Sequence, residues 1–210
     1  EKITVELGKQ TLPVSTTANP LGYLKYTYTA SEIQPDMLNA DITQTTDSPS
    51  WGGLYLQYFE KFDQVQQQKG ILSVTKKLFI EKIGSDGKQE LLPLGKEKLK
   101  TGDKVITRLT LSLKQDMDFL YLKDFRAACF EPIGQLSGNQ WKFGTVYYEE
   151  SKDAVTNFFF NSLAKGTYVL EYPVWVNQAG TYQDGIATFQ SMYAPEYTAY
   201  SEAGKITVTK

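Results

Sequence analysis

Residues 104–113 read K-V-I-T-R-L-T-L-S-L, with Val105, Thr107, Leu109, Leu111 and Leu113 at alternate positions and Lys104, Arg108 and Ser112 between them. A period of two sends successive side chains to opposite faces of a strand, so this segment packs one face and wets the other. One such strand buries nothing alone; it must join a sheet whose apolar side faces a second layer. The pattern recurs along the chain. Ile3, Val5 and Leu7 alternate with Lys2, Thr4 and Glu6 before a turn at Gly8. Leu72, Val74, Leu78 and Ile80 lead into Gly84-Ser85-Asp86-Gly87, a hairpin signal with a short return at 89–92. Thr101-Gly102-Asp103 turns the chain into the 104–113 strand. Further strands are expected at 22–29, at 38–44 after a Pro35-Asp36 turn, and at 54–59, 119–123, 145–150, 155–161, 167–176, 186–192 and 205–209. Tyr168, two residues after Gly166 at a strand entry, is placed as a tyrosine corner begins. The expected fold class is all-β: an immunoglobulin/fibronectin-like β-sandwich of roughly seven to nine short strands over about the last 140 residues, preceded by a smaller β module. The polar run D-Q-V-Q-Q-Q-K-G at 63–70 is the expected boundary, giving modules over 1–66 and 70–210.

Composition excludes whole classes of function. At 210 residues the chain can bury one or two cores without disulfides or metals. Twenty-two basic residues against 24 acidic ones give a net charge of -2, too near neutral for a surface built to hold phosphate backbones, so no nucleic-acid partner is expected. No apolar run is long enough for a membrane span, and the sequence enters a strand pattern at its start; neither a span nor a signal peptide is expected, and no membrane contact. The sequence reads as cut from something longer. Histidine is absent, which removes the imidazole proton shuttle of Ser-His-Asp and Cys-His mechanisms and the commonest nitrogen ligand of zinc. No catalytic residue, metal site or cofactor is therefore expected, and the chain is read as a non-enzyme.

Carboxylate pairs are the acid/base machinery that remains. Glu149 and Glu150 are adjacent, so on a strand they point to opposite faces. Asp116 and Asp118 share a face and could join a hard-cation site with more oxygen ligands; the simpler reading makes Asp116 a turn residue and Asp118 the start of the next strand. Cys129, the single cysteine, sits in R-A-A-C-F between apolar neighbours and reads as a small buried hydrophobe. Fourteen tyrosines, 11 phenylalanines and three tryptophans exceed what one thin sandwich core needs. Tyr26, Tyr28, Phe158 and Phe160 read as packing, whereas Trp51, Tyr55, Tyr58, Trp175, Tyr193, Tyr197 and Tyr200 include candidates for a surface against another domain or against sugar rings.

Near the end stand K-G-T-Y-V-L-E-Y at 165–172 and G-I-A-T-F-Q-S-M-Y-A-P-E-Y-T-A-Y-S-E at 185–202. Here Met-Tyr-x-Pro followed by a second aromatic resembles the closing segment of the last domain in bacterial alpha-2-macroglobulins, proteins that trap proteases. W-G-G-L-Y-L-Q-Y-F-E at 51–60 is similar to the segment that joins the domain after the thioester region to the terminal domain in Bacteroidetes-type members. Leu99-Lys100-Thr101-Gly102-Asp103 resembles the family's L-x-x-G-D turn. D-F-R-A-A-C-F-E-P at 124–132 resembles its D-x-x-P-A-G-F-E-P loop, with Cys129 where glycine is usual; a positive φ there would strain Cys129 or reshape the loop. The resemblance covers essentially the whole chain: 1–66 is similar to the returning half of a CUB-type domain, and 70–210 to the terminal macroglobulin-like domain. Cys129 is not followed by the Gly-Glu-Gln that accompanies a thioester cysteine, so the thioester and bait region are implied to lie elsewhere in a parent chain.

The resemblance implies a non-catalytic, C-terminal part of a protease inhibitor. Its partners would be neighbouring domains of the same parent chain and, through the parent, proteases. Its place would be the cell envelope, periplasmic or surface-attached. Tyr193 matches the tyrosine that packs over a thioester in family members, with Met192, Pro195 and Tyr197 completing the candidate interface. The competing reading makes Tyr193 a strand-end core residue. Two further readings stay open: a secreted carbohydrate- or surface-binding β-sandwich using exposed aromatics, and a glycosidase, which needs two carboxyls about 5 to 9.5 Å apart in a cleft.

Overall fold

The structure is a computed structural model, and it describes residues 3–13, 24–45, 47, 49–95, 98–134 and 136–210. The chain divides into two compact units, 1–58 and 59–210. In the first, β1 (Ile3–Leu7), β2 (Gln10–Leu12) and β3 (Ala40–Gln44) form one antiparallel sheet in the order β2-β1-β3. The Gly8 turn joins β1 to β2 with φ at +60°, a conformation glycine adopts without penalty. Its Cα also lies against the Asp36 backbone, so a Cβ there would meet Asp36 carbonyl atoms at 2.8 Å. A one-turn 3-10 helix, Pro35–Leu38, leads into β3 where the Pro35-Asp36 turn is expected.

The second unit carries the core. Its strands are β4 (Leu72–Ile83), β5 (Gln89–Pro93), β6 (Leu99–Lys100), β7 (Lys104–Leu113), β8 (Met117–Phe125), β9 (Phe130–Pro132), β10 (Gly138–Lys142) and β11 (Thr145–Ser151). They continue with β12 (Val155–Leu163), β13 (Gly166–Val176), β14 (Gly180–Asp184), β15 (Ala187–Ser191), β16 (Thr198–Tyr200) and β17 (Gly204–Thr209). A five-stranded sheet runs β5-β4-β7-β13-β9 and a six-stranded sheet runs β10-β11-β12-β8-β15-β16. A small sheet, β14-β17-β6, completes the unit and contains a parallel pair, β17 with β6. The alternation of β7 is realised in full: Val105, Thr107, Leu109, Leu111 and Leu113 are buried. The four apolar ones meet Leu120, Leu122, Phe158, Phe160 and Phe189 of the six-stranded sheet in one apolar cluster. The tyrosine corner is present: Tyr168 Oη donates to the Ala164 carbonyl at 3.0 Å.

Three expectations are corrected. Residues 24–29 form no strand, and residues 22 and 23 of that expected element lie outside the described ones. Residues 54–59 are all exposed and form no strand either. Both segments have strand-like composition, but their residues are exposed save Tyr28, and β propensity is realised only where a packing face exists. In the second unit fourteen strands replace the seven to nine expected, because β6, β9, β10, β14 and β16 are two to five residues long and too short to show a period. The condition for strain at Cys129 is not met: the positive-φ residues other than glycine are Phe119 and Phe143 among the described ones, so Cys129 is buried without left-handed strain.

Candidate functional site

The segment after β15 is a compact turn built from its own side chains. Ser191 Oγ accepts the Ala194 N–H at 3.2 Å, and the Tyr197 N–H returns to the Ala194 carbonyl at 2.9 Å. The Ser191 N–H reaches the Tyr197 carbonyl at 3.0 Å, and Thr198 Oγ1 donates to the Pro195 carbonyl at 2.6 Å. Proline has no amide hydrogen for a ladder, so the chain leaves the sheet here and re-enters it as β16. This fixes four candidate residues in two directions. Met192, Tyr193 and Pro195 are exposed, Tyr193 to 78%, while Tyr197 turns inward against the core. Tyr193 is thus no part of the core of its own unit.

Phe119 braces that turn. Its ring meets Tyr193 edge-to-face, with centroids 5.2 Å apart and planes at 87°, and its carbonyl accepts the Met192 N–H at 2.9 Å. Phe119 has φ at +52°, a left-handed conformation that costs a non-glycine residue roughly 1–2 kcal/mol. Strain of this kind clusters at functional positions.

The carboxylate candidates separate as their spacing requires. Burial raises the Glu149 carboxyl above its usual range, while the Asn157 amide donates to Glu150 at 2.8 Å and lowers it. Their side chains lie on opposite faces of β11 and form no acid/base pair. Asp116 is the turn residue expected, accepting the Lys165 N–H at 2.7 Å, and Asp118 lies in β8. Among the described residues no group of three or more His, Cys, Asp or Glu is placed to hold a metal. Burial pushes the Cys129 thiol up to about 11, which makes it a poor nucleophile. Trp175 and Tyr193 do not share one face: Trp175 lies on β13 of the five-stranded sheet, whereas Tyr193 follows β15 of the six-stranded sheet.

One cluster escaped the sequence reading. Lys76 sits on the inner face of β4 between Val74 and Leu78, with its side chain only 3% exposed. Its Nζ lies 3.0 Å from Asp124 Oδ1 and 2.9 Å from Asp184 Oδ1, and donates to the Phe125 carbonyl at 2.6 Å and the Gly185 carbonyl at 2.9 Å. Tyr172 Oη donates to Asp124 Oδ2. Arg126, also buried, donates to Thr156 Oγ1 and to the Lys152 and Asp153 carbonyls. Burial is the largest influence on each of the three ion-pair groups. It raises the Asp124 and Asp184 carboxyls; at Lys76 it favours the free amine, but the two carboxylate charges outweigh it and raise the amine. The visible signal was a lysine continuing the period-two series of Leu72, Val74, Leu78 and Ile80.

Residues 72–196 match the family described as the bacterial alpha-2-macroglobulin MG10 domain. No curated protein matches the chain. Among solved structures, a mutant of Salmonella alpha-2-macroglobulin is 20% identical over 70% of this chain and 10% of its own, with a TM-score of 0.54. Escherichia coli alpha-2-macroglobulin activated by porcine elastase is 18% identical over 70% of this chain and 14% of its own, with a TM-score of 0.54. The native conformation of the Escherichia coli protein is 18% identical over 74% of this chain and 10% of its own, with a TM-score of 0.53. The matched region is thus between a tenth and a seventh of each of these chains.

Proposed function

With the MG10 match covering more than half of its residues, the chain belongs to the bacterial alpha-2-macroglobulin family, and we propose that it serves as a non-catalytic, C-terminal part of a larger protease-trapping protein. In this reading the turn from Met192 to Tyr197 is the surface offered to a neighbouring domain of the same parent. Tyr193 covers a thioester there and excludes water from it. The observation that carries the proposal is Tyr193 itself: a large ring, 78% exposed, held by a hydrogen-bonded turn and by a strained Phe119 rather than by the core. A fold that needs no ring at that position but spends strain on presenting it supports an interface role. Trapping follows from rearrangement after a protease cuts a bait segment, so the contribution of this region is to favour the uncleaved arrangement. In this reading the parent protein works in the cell envelope, periplasmic or surface-attached. No helix among the described residues is long and apolar enough to cross a membrane.

The test is Tyr193→Ala in the thioester-bearing parent. Thioester loss in buffer, followed by release of the free thiol, speeds up while the domain stays folded; an unchanged thioester lifetime contradicts the proposal. The isolated chain, mixed with proteases at equal molar ratio, neither inhibits nor hydrolyses, and measurable inhibition overturns the non-catalytic, parent-dependent reading.

A further inference from the structure

We propose that Lys76 and Asp124 form an intramolecular isopeptide bond, a covalent tie between the five-stranded and six-stranded sheets, with Asp184 as its proton carrier and Tyr172 as its oxyanion donor. The cluster has the parts an amide-forming reaction needs, held where water is excluded. Lys76 is 3% exposed, Asp124 0% and Asp184 13% at their side chains. Nζ donates to two backbone carbonyls, of Phe125 and Gly185. Yet Asp124 Oδ1 and Asp184 Oδ1, at 3.0 and 2.9 Å, accept no hydrogen bond in proper geometry. A neutral amine has two hydrogens and one lone pair. The two carbonyls can take both hydrogens, and the Asp124 and Asp184 carboxyls lie within ion-pair distance of the same nitrogen. One proton moved from Nζ to Asp124 discharges the pair in place; burial, the largest influence on each group, favours that transfer, while the carboxylate charges that raise the amine oppose it until Asp124 takes the proton.

The chemistry then balances without an oxidant or cofactor. The Nζ lone pair forms a bond to Asp124 Cγ, and the negative charge that develops falls on Oδ2, to which Tyr172 already donates. Asp184, an ion-pair distance from Nζ, takes one proton from the nitrogen and returns it to Oδ1. The Cγ–Oδ1 bond breaks and Oδ1 leaves as water. One amine and one carboxylic acid give one amide and one water, and Asp184 ends as it began. Fixing the nucleophile and the acceptor on two packed sheets supplies the proximity that a free amine and acid lack. Lys76 lies on β4 and Asp124 on β8, so the bond would cross the core.

The intact mass of the purified chain in denaturant tests this without any variant. The expected mass is lower than the sequence mass by one water, and a digest contains a branched peptide joining Lys76 to Asp124. Lys76→Arg and Asp124→Ala regain the full sequence mass, and Asp184→Asn, which keeps both bonding partners, yields mostly unlinked chain. A folded wild-type chain of full sequence mass, with the Lys76 and Asp124 peptides recovered separately, overturns the proposal whether or not the variants fold. None of these readouts depends on the role proposed for Tyr193.

Discussion

At the scale of single residues, three side chains show how environment decides role. Tyr193 is exposed and makes one ring contact, so Tyr193→Ala should cost the domain about 0.5–1.5 kcal/mol, the range of an aromatic pair, as read by urea unfolding. A loss of several kcal/mol would show a core role. Lys76 is the opposite case: Lys76→Ala removes the group that Asp124 and Asp184 face in the core, and a loss of at least roughly 3–5 kcal/mol, the range for a buried pair before any covalent tie is counted, is expected in the same assay. Cys129 sets a pH dependence. Its folded thiol holds its proton up to about 11, against an ordinary value of 9.0, so between those values the folded state binds more protons than the unfolded one. Stability therefore falls as pH rises through that window. Cys129→Ala should flatten this alkaline decline in unfolding midpoints measured from pH 8 to pH 11; an equally steep decline in the variant contradicts the assignment. Cys129 was legible as a buried hydrophobe from its apolar neighbours. Lys76 was not, because a lysine on a strand is by default a solvated residue, and only the positions of Asp124 and Asp184, on two other strands, make its burial possible.

At the scale of elements, long strands were legible and short ones were not. β4, β7, β12 and β13 run nine to twelve residues, enough for a period of two to declare itself. β6 and β9 have two and three residues and exist because a neighbouring strand offers an edge, which no local pattern encodes. The missing strands at 24–29 and 54–59 are the converse: composition favours pairing, but the residues, exposed save Tyr28, have no packing face to hold a strand. Between β14 and β15 the chain passes so close to β8 that a Cβ on Gly185 would lie 2.4 Å from the Phe125 Cβ and carbonyl oxygen. Gly185→Ala must therefore push β15 from β8 and weaken the ladder that starts at Ala187 and Asp124. A loss of about 1–3 kcal/mol, the usual range for overpacking, is expected in thermal or urea unfolding, with no loss contradicting this packing. The turn after β15 was legible in outline from Pro195, but its brace was not: nothing in the sequence marks Phe119 as left-handed.

At the scale of the whole molecule, the two units should respond differently to a protease. Residues 51–61 are exposed and outside any helix or strand. Residues 62–70 are tied to the second unit: Gln67 Nε2 donates to the Val74 carbonyl at 2.9 Å, and the Gln68 N–H to the Tyr200 carbonyl at 3.1 Å. We propose that the chain works as two modules, 1–66 and 70–210, and limited trypsin treatment should cut first at Lys61, in the exposed stretch beside that boundary, and leave a resistant piece carrying β4 to β17. Early cuts within the 104–176 strands would contradict it. The larger claim is that the second unit works by what it covers, and it can be tested where the covering happens. Hydroxyl-radical footprinting of Tyr193 in this chain alone and in the intact parent compares the ring's access to solvent directly. The account predicts strong labelling of Tyr193 in the isolated chain and marked protection in the uncleaved parent; equal labelling in both would contradict it.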